Sequence, residues 1–161
     1  MIPARIQEVQ LAIRASLAAG LSYWAATWFQ SEYAIYALIA AVVVTNLSPR
    51  ETRNMAGPRL VGTVVGAVGG AVATYVLPVG PLALSLAILV AMLTMYMLRM
   101  PAAAKISGFT AAIVMFTHTG NPWLYATERA FDNVLGIGAA VLVSYLPKLI
   151  REPAPSDSAN E

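Results

Sequence analysis

The chain has 161 residues, of which 58% are hydrophobic and 11% charged, with a mean hydropathy of +0.67 and a net charge of +2. A domain that folds in water carries about 25% charged residues, so much of this surface faces something else, and a lipid bilayer is the expected partner. The small, dispersed positive charge argues against nucleic acid, and the lack of cysteine excludes disulfides, thiol catalysis and cysteine-bound metals.

A membrane-spanning helix needs about 20 mainly apolar residues, with about 17 as the short limit. The first predicted helix runs from Gln7 to Phe29. Its aromatic residues Tyr23, Trp24, Trp28 and Phe29, and its lack of a small-x-small cleavage site, distinguish it from a cleaved leader. Gln30, Ser31 and Glu32 form a turn, and a second helix covers Tyr33 to Leu47. Ser48 to Arg59 reads as a polar loop, because it holds Arg50, Glu51 and Arg53 and ends on the helix breakers Gly57 and Pro58. From Leu60 to Leu98 there is no charge, and Pro78-Val79-Gly80-Pro81 divides the run into a third helix, Leu60 to Leu77, and a fourth, Leu82 to Leu98. Arg99, Pro101 and Lys105 mark the next loop. A fifth helix spans Ile106 to Thr117, His118 to Pro122 turn, and a sixth spans Trp123 to Leu146, stopping at Pro147. Residues 148–161 form a polar tail.

With the N-terminus inside, Arg5, Arg14, Arg50, Arg53, Arg59, Arg99, Lys105, Lys148 and Arg151 all fall on the cytoplasmic side, and only Arg129 is left over. That bias predicts an all-α integral membrane fold with six transmembrane helices and both ends in the cytoplasm. The two halves also resemble each other at an offset of about 70 residues: "AAVVVTN" parallels "AAIVMFT", and "PRLVGTVVGAVGG" parallels "ERAFDNVLGIGAA". Each unit holds three helices, an odd number, so the second copy must be inverted. Residues 1–147 are thus read as one six-helix domain, with repeat one at 7–78, repeat two at 82–147 and a cytoplasmic tail at 148–161. Inverted repeats of this kind belong to a transporter plan, with the substrate path between the copies.

No hydrolase, kinase or redox signature is present, and the single histidine, His118, makes a poor metal site alone; neither catalysis nor a cofactor is expected. The informative residues are charges at helix ends. Arg59 and Arg129 are equivalent in the repeat alignment and, related by inversion, would lie at opposite mouths of one pathway. A charge at the bilayer centre costs about 2.5–3.5 kcal/mol on insertion scales, so such residues face protein or a water-filled path. Guanidinium holds carboxylates with paired hydrogen bonds, which points to an organic anion. Asp132 and Glu128 would orient Arg129 or carry protons, and Asn133 completes the candidate substrate-binding set. The plainer reading pairs Arg129 with Asp132 at i,i+3 and lets Arg59 snorkel to lipid phosphates. Gly62, Gly66 and Gly70, with Gly136 in the second repeat, form small-residue stripes suited to helix packing, within the bundle or at a dimer seam.

At these residues the sequence resembles the fusaric-acid-resistance and aromatic-acid-exporter superfamily. The resemblance rests on "ALIAAVVVTNLSPRETRNMAGPRLVGTVVGAVGG", Ala37 to Gly70, and on "GFTAAIVMFTHTGNPWLYATERAFDNVLGIGAA", Gly108 to Ala140. Ser48, Glu51, Thr52, Arg53, Arg59, Gly62, Thr63 and Gly66 match the family's first block, and Pro122, Trp123, Tyr125, Glu128 and Arg129 its later one. The resemblance implies a six-helix unit in the bacterial inner membrane that exports or conducts organic, including aromatic, acids. Larger members carry two such units and cytoplasmic domains, so a single unit is expected to work as a homodimer. A non-transporting membrane scaffold is the alternative from a different class.

Overall fold

The computed structural model describes residues 2–78, 80–117 and 121–146. These form six α-helices and, among the described residues, no strand: α1 (Ile2–Trp28), α2 (Ile35–Val44), α3 (Pro49–Val76), α4 (Pro81–Met97), α5 (Pro101–Thr117) and α6 (Pro122–Ser144). His118 and the tail at 148–161 lie outside the described residues, as do Pro147, Lys148 and Arg151.

The expected loop at Ser48 to Arg59 is helical instead. Ser48 caps α3 by accepting the Glu51 N–H at 3.1 Å, Pro49 occupies the first turn, and Glu51 places an acid beside the positive end of the helix dipole. Three start signals therefore outweigh the local charge. The helix then runs through Gly57 and Pro58, the proline withholding one backbone donor without ending it. Likewise, α5 begins at Pro101, five residues before the expected Ile106, because proline is as good at a helix's first position as it is poor in its interior. The second helix is shorter than expected. It begins after a turn containing Gln30 in the left-handed region (φ 55°) and stops at Val44, where Thr45 becomes extended.

By length and composition, α3 is the helix long and apolar enough to cross a bilayer; α2, α4 and α5 are apolar but shorter. The bundle is nonetheless apolar outside and small inside. Leu82, Val90, Met97 and Phe116 stand exposed, whereas the buried apolar residues are predominantly alanine. In water that distribution would be inverted. In lipid, helices gain nothing by hiding leucine, and small residues bring backbones together.

The packing partners are reciprocal. Helix α3 lies along α5, α6 lies along α2, and α3 and α6 cross in the middle of the bundle. Helix α1 flanks α2 and α6, while α4 flanks α5 and α3. Exchanging α1–α3 with α4–α6 in chain order maps the α3–α6 pair onto itself and each of the other pairs onto another.

The closest approaches occur at glycines. A Cβ on Gly66 would run into the backbone of Ser107, one on Gly62 would sit 2.7 Å from the Ala103 carbonyl oxygen, and one on Gly70 2.6 Å from that of Ala111. On the other side a Cβ on Gly136 would strike Ala37 and come within 2.6 Å of the Ala40 Cβ. These stripes are therefore occupied inside the bundle. Gly69 faces open space.

Gly66→Leu and Gly136→Leu are expected to destabilise the detergent-solubilised protein by at least about 1–3 kcal/mol, the usual cost of overpacking. Gly69→Ala should instead be neutral or stabilising by about 0.5–1 kcal/mol. Thermal unfolding of the three variants checks this, and equal losses at positions 66 and 69 would contradict the packing described.

Candidate functional site

Where α3 crosses α6, two residues 70 positions apart in sequence meet. Asn133 Nδ2 donates to Thr63 Oγ1, and Asn133 Oδ1 accepts from Arg59 Nε at 3.1 Å. Thr63 and Asn133 are 1% and 5% exposed, so this polar link is made in a dry interior where each group needs a partner. Arg59 lies one turn before Thr63 on α3, and Arg129 one turn before Asn133 on α6. The arginines therefore do not stand at distant mouths. They flank one crossing, near enough for Arg59 to feel the charge of Arg129.

Arg129 is buried, and its guanidinium carbon stands 3.3 Å from the centre of the Tyr36 ring. The Tyr36 ring is fixed in turn, since Tyr125 donates its hydroxyl to that of Tyr36 at 3.1 Å, and Tyr33 packs edge-on against Tyr125 at 5.1 Å. The flat cation thus lies on a braced aromatic face. Among the described residues its Nε and Nη1 have no hydrogen-bond partner. Asp132, on the same helix, is fully buried; Oδ1 accepts from Ser31 at 2.6 Å, and Oδ2 is also unpartnered. The expected neutralisation of Arg129 by Asp132 thus leaves these three atoms unused.

Glu128 stands apart from this group. It lines a polar pocket of 100 Å³ with Glu32, Tyr33, Asn121 and Tyr125, at the start of α6 and the turn after α1. In that turn the Tyr33 hydroxyl is held above the ordinary phenol range, first by desolvation and then by Glu32 and Glu128, so it stays a neutral donor. Tyr125 lines this pocket and also braces Tyr36, and so stands between the pocket and Arg129. An apolar groove of 450 Å³ between α3 and α4, beside Gly69 and Val72, offers an ionic ligand nothing.

Sequence reasoning missed one further buried cation. Arg14 donates to the carbonyl of Leu47 at 2.6 Å and to that of Leu146 at 2.7 Å. These carbonyls follow the ends of α2 and α6, where the helix dipoles are negative, so a single guanidinium satisfies two chain ends at once. In the sequence Arg14 is only a charge near the start of an apolar run. Ser31 was similarly hidden, because it acts on Asp132, 101 positions away, and forms no local motif.

The site belongs to a helical bundle with an apolar exterior and a buried, under-satisfied cation at its centre. The chain matches the family described as fusaric acid resistance protein-like over residues 21–143, and it belongs to that family. Members are membrane proteins of transporter type rather than enzymes. No curated protein and no solved structure matches the chain.

The Arg59–Asn133–Thr63 link is expected to show up as energetic coupling. In a double-mutant cycle of Arg59→Ala and Asn133→Ala, thermal stability should be non-additive by about 0.5–3 kcal/mol, as for residues in one hydrogen-bond network. Strict additivity would mean that the link contributes nothing.

Proposed function

We propose that the protein exports or conducts organic acid anions across the bacterial inner membrane, with Arg129 as the principal anion contact. The observation that carries this reading is the imbalance at Arg129. Burying a guanidinium costs several kcal/mol, and stacking on a desolvated aromatic ring returns about 2 kcal/mol. The remainder calls for acceptors that no neighbouring side chain supplies to Nε and Nη1. A carboxylate supplies them, and the Tyr36 ring beneath offers a flat wall suited to aromatic acids. Arg59, Asn133 and Thr63 would form the polar floor of the passage, with Asp132 and Glu128 setting its charge.

Six crossings with both ends inside fit the lysine and arginine distribution, and the reciprocal packing of α1–α3 and α4–α6 supports two inverted repeats around this centre. In that arrangement Gly66 against Ser107 and Gly136 against Ala37 are the same contact made twice, at the same offset in sequence. Thr63 and Asn133, separated by 70 residues and bonded to each other, would lie on the pseudo-two-fold axis. A homodimer would supply the second unit that larger members carry in one chain.

Uptake of radiolabelled 4-hydroxybenzoate into proteoliposomes should exceed that of empty liposomes. It should fall to the leak rate in Arg129→Ala and to a fraction of wild type in Arg129→Lys, which keeps the charge and loses the planar fork. Folded protein that takes up neither this acid nor malate would count against transport and favour a membrane scaffold.

A further inference from the structure

We propose that Asp132 is a proton-binding site linked to occupancy of Arg129, so that an organic anion binds together with a proton and crosses as the equivalent of its neutral acid. This rests on the reading of Arg129 as the anion contact. Asp132 is fully buried, yet among the described residues Ser31 on Oδ1 is its one donor and Oδ2 faces no partner. A carboxylate in that position has two ways to avoid an uncompensated charge: lean on the nearby Arg129 or take up a proton. With Arg129 empty, the first suffices. When a carboxylate ligand occupies Nε and Nη1, two negative charges share one guanidinium, and the first way is lost. A proton from water then adds to Asp132 Oδ2, leaving the guanidinium and the bound anion as a neutral pair. Loss of the anion on the far side reverses both events, so one proton is released for each anion released.

The surroundings supply no competing cation. On α6 itself, Glu128 adds further negative charge one turn away. The turn after α1 brings Ser31 and Glu32, and α2 brings Tyr36, which faces Arg129. On α3, Arg59 is bonded to Asn133. On α1, Arg5 and Glu8 are exposed, while Arg14 is engaged by the carbonyls of Leu47 and Leu146. Lys105 of α5 is exposed. Among the described cations, Asp132 therefore answers to Arg129, with Ser31 its donor and Glu128 adding like charge, and whatever neutralises Arg129 passes its effect to the carboxylate.

Calorimetric binding of 4-hydroxybenzoate to the purified full chain, in buffers of different ionisation enthalpy, measures protons taken up per anion. Scanned over roughly pH 5 to 9, uptake should rise toward about one proton at its maximum. Asp132→Asn should still bind and take up none. Wild-type binding with no proton uptake across the range, or unchanged uptake in Asp132→Asn, would overturn the linkage while leaving the anion site standing. Absence of any binding to wild type would instead remove the anion site, and the linkage with it. Should Asp132→Asn fail to fold, the wild-type proton count still decides the matter.

Discussion

Close backbone approach is the constraint on which the rest of this structure depends. Lipid gives helices no reason to hide their leucines from one another, so cohesion must come from contact area and from polar links that lipid cannot satisfy. Gly66 against Ser107 and Gly136 against Ala37 bring α3 onto α5 and α6 onto α2 at separations that a single Cβ would forbid. Once those pairs are seated, α3 and α6 cross near the middle of the bundle, and Thr63 meets Asn133. The arginines one turn away inherit their burial from that crossing. Function in this protein is therefore downstream of side chains that are missing.

The same tight packing explains how a charge can be kept inside so small a bundle. Alanine and glycine leave little room for water, which raises the cost of every unpaired donor and acceptor. Arg14 shows one solution, with two guanidinium nitrogens held by carbonyls beyond helix ends and Nε left without a partner among the described residues. Arg129 shows the other solution, a cation braced against an aromatic ring with donors left over. The two buried arginines thus differ in what holds them, a pair of carbonyls for Arg14 and an aromatic face for Arg129.

Much of the fold was legible in the sequence. The charge-free run with its Pro-x-Gly-Pro divider marks the α3 and α4 boundary, and the glycine spacing marks the face that α3 presents to α5. The start of α3 is legible too, in Ser48, Pro49 and Glu51, although the charges that follow give the segment the hydropathy of a loop. Arg59 and Arg129 stood out because a charge in an apolar setting is expensive wherever it falls. What could not be read was convergence. Nothing local joins Ser31 to Asp132 or Tyr36 to Arg129, and the place where two helices cross is decided by packing geometry that periodicity does not encode.

Arg14 has a mechanical consequence. By holding the chain just past α2 and just past α6, it makes α1, α2 and α6 a single lever that carries Tyr36 and Arg129 together. Helices α3, α4 and α5 form the opposing arm; the two arms meet mainly where α3 crosses α6, and the flanking seams, α2 with α3 and α5 with α6, are thin. The Thr63–Asn133 bond sits at the fulcrum. Turning one arm against the other would tilt the cation and its aromatic backing as one piece about the polar cluster of Arg59, Thr63 and Asn133.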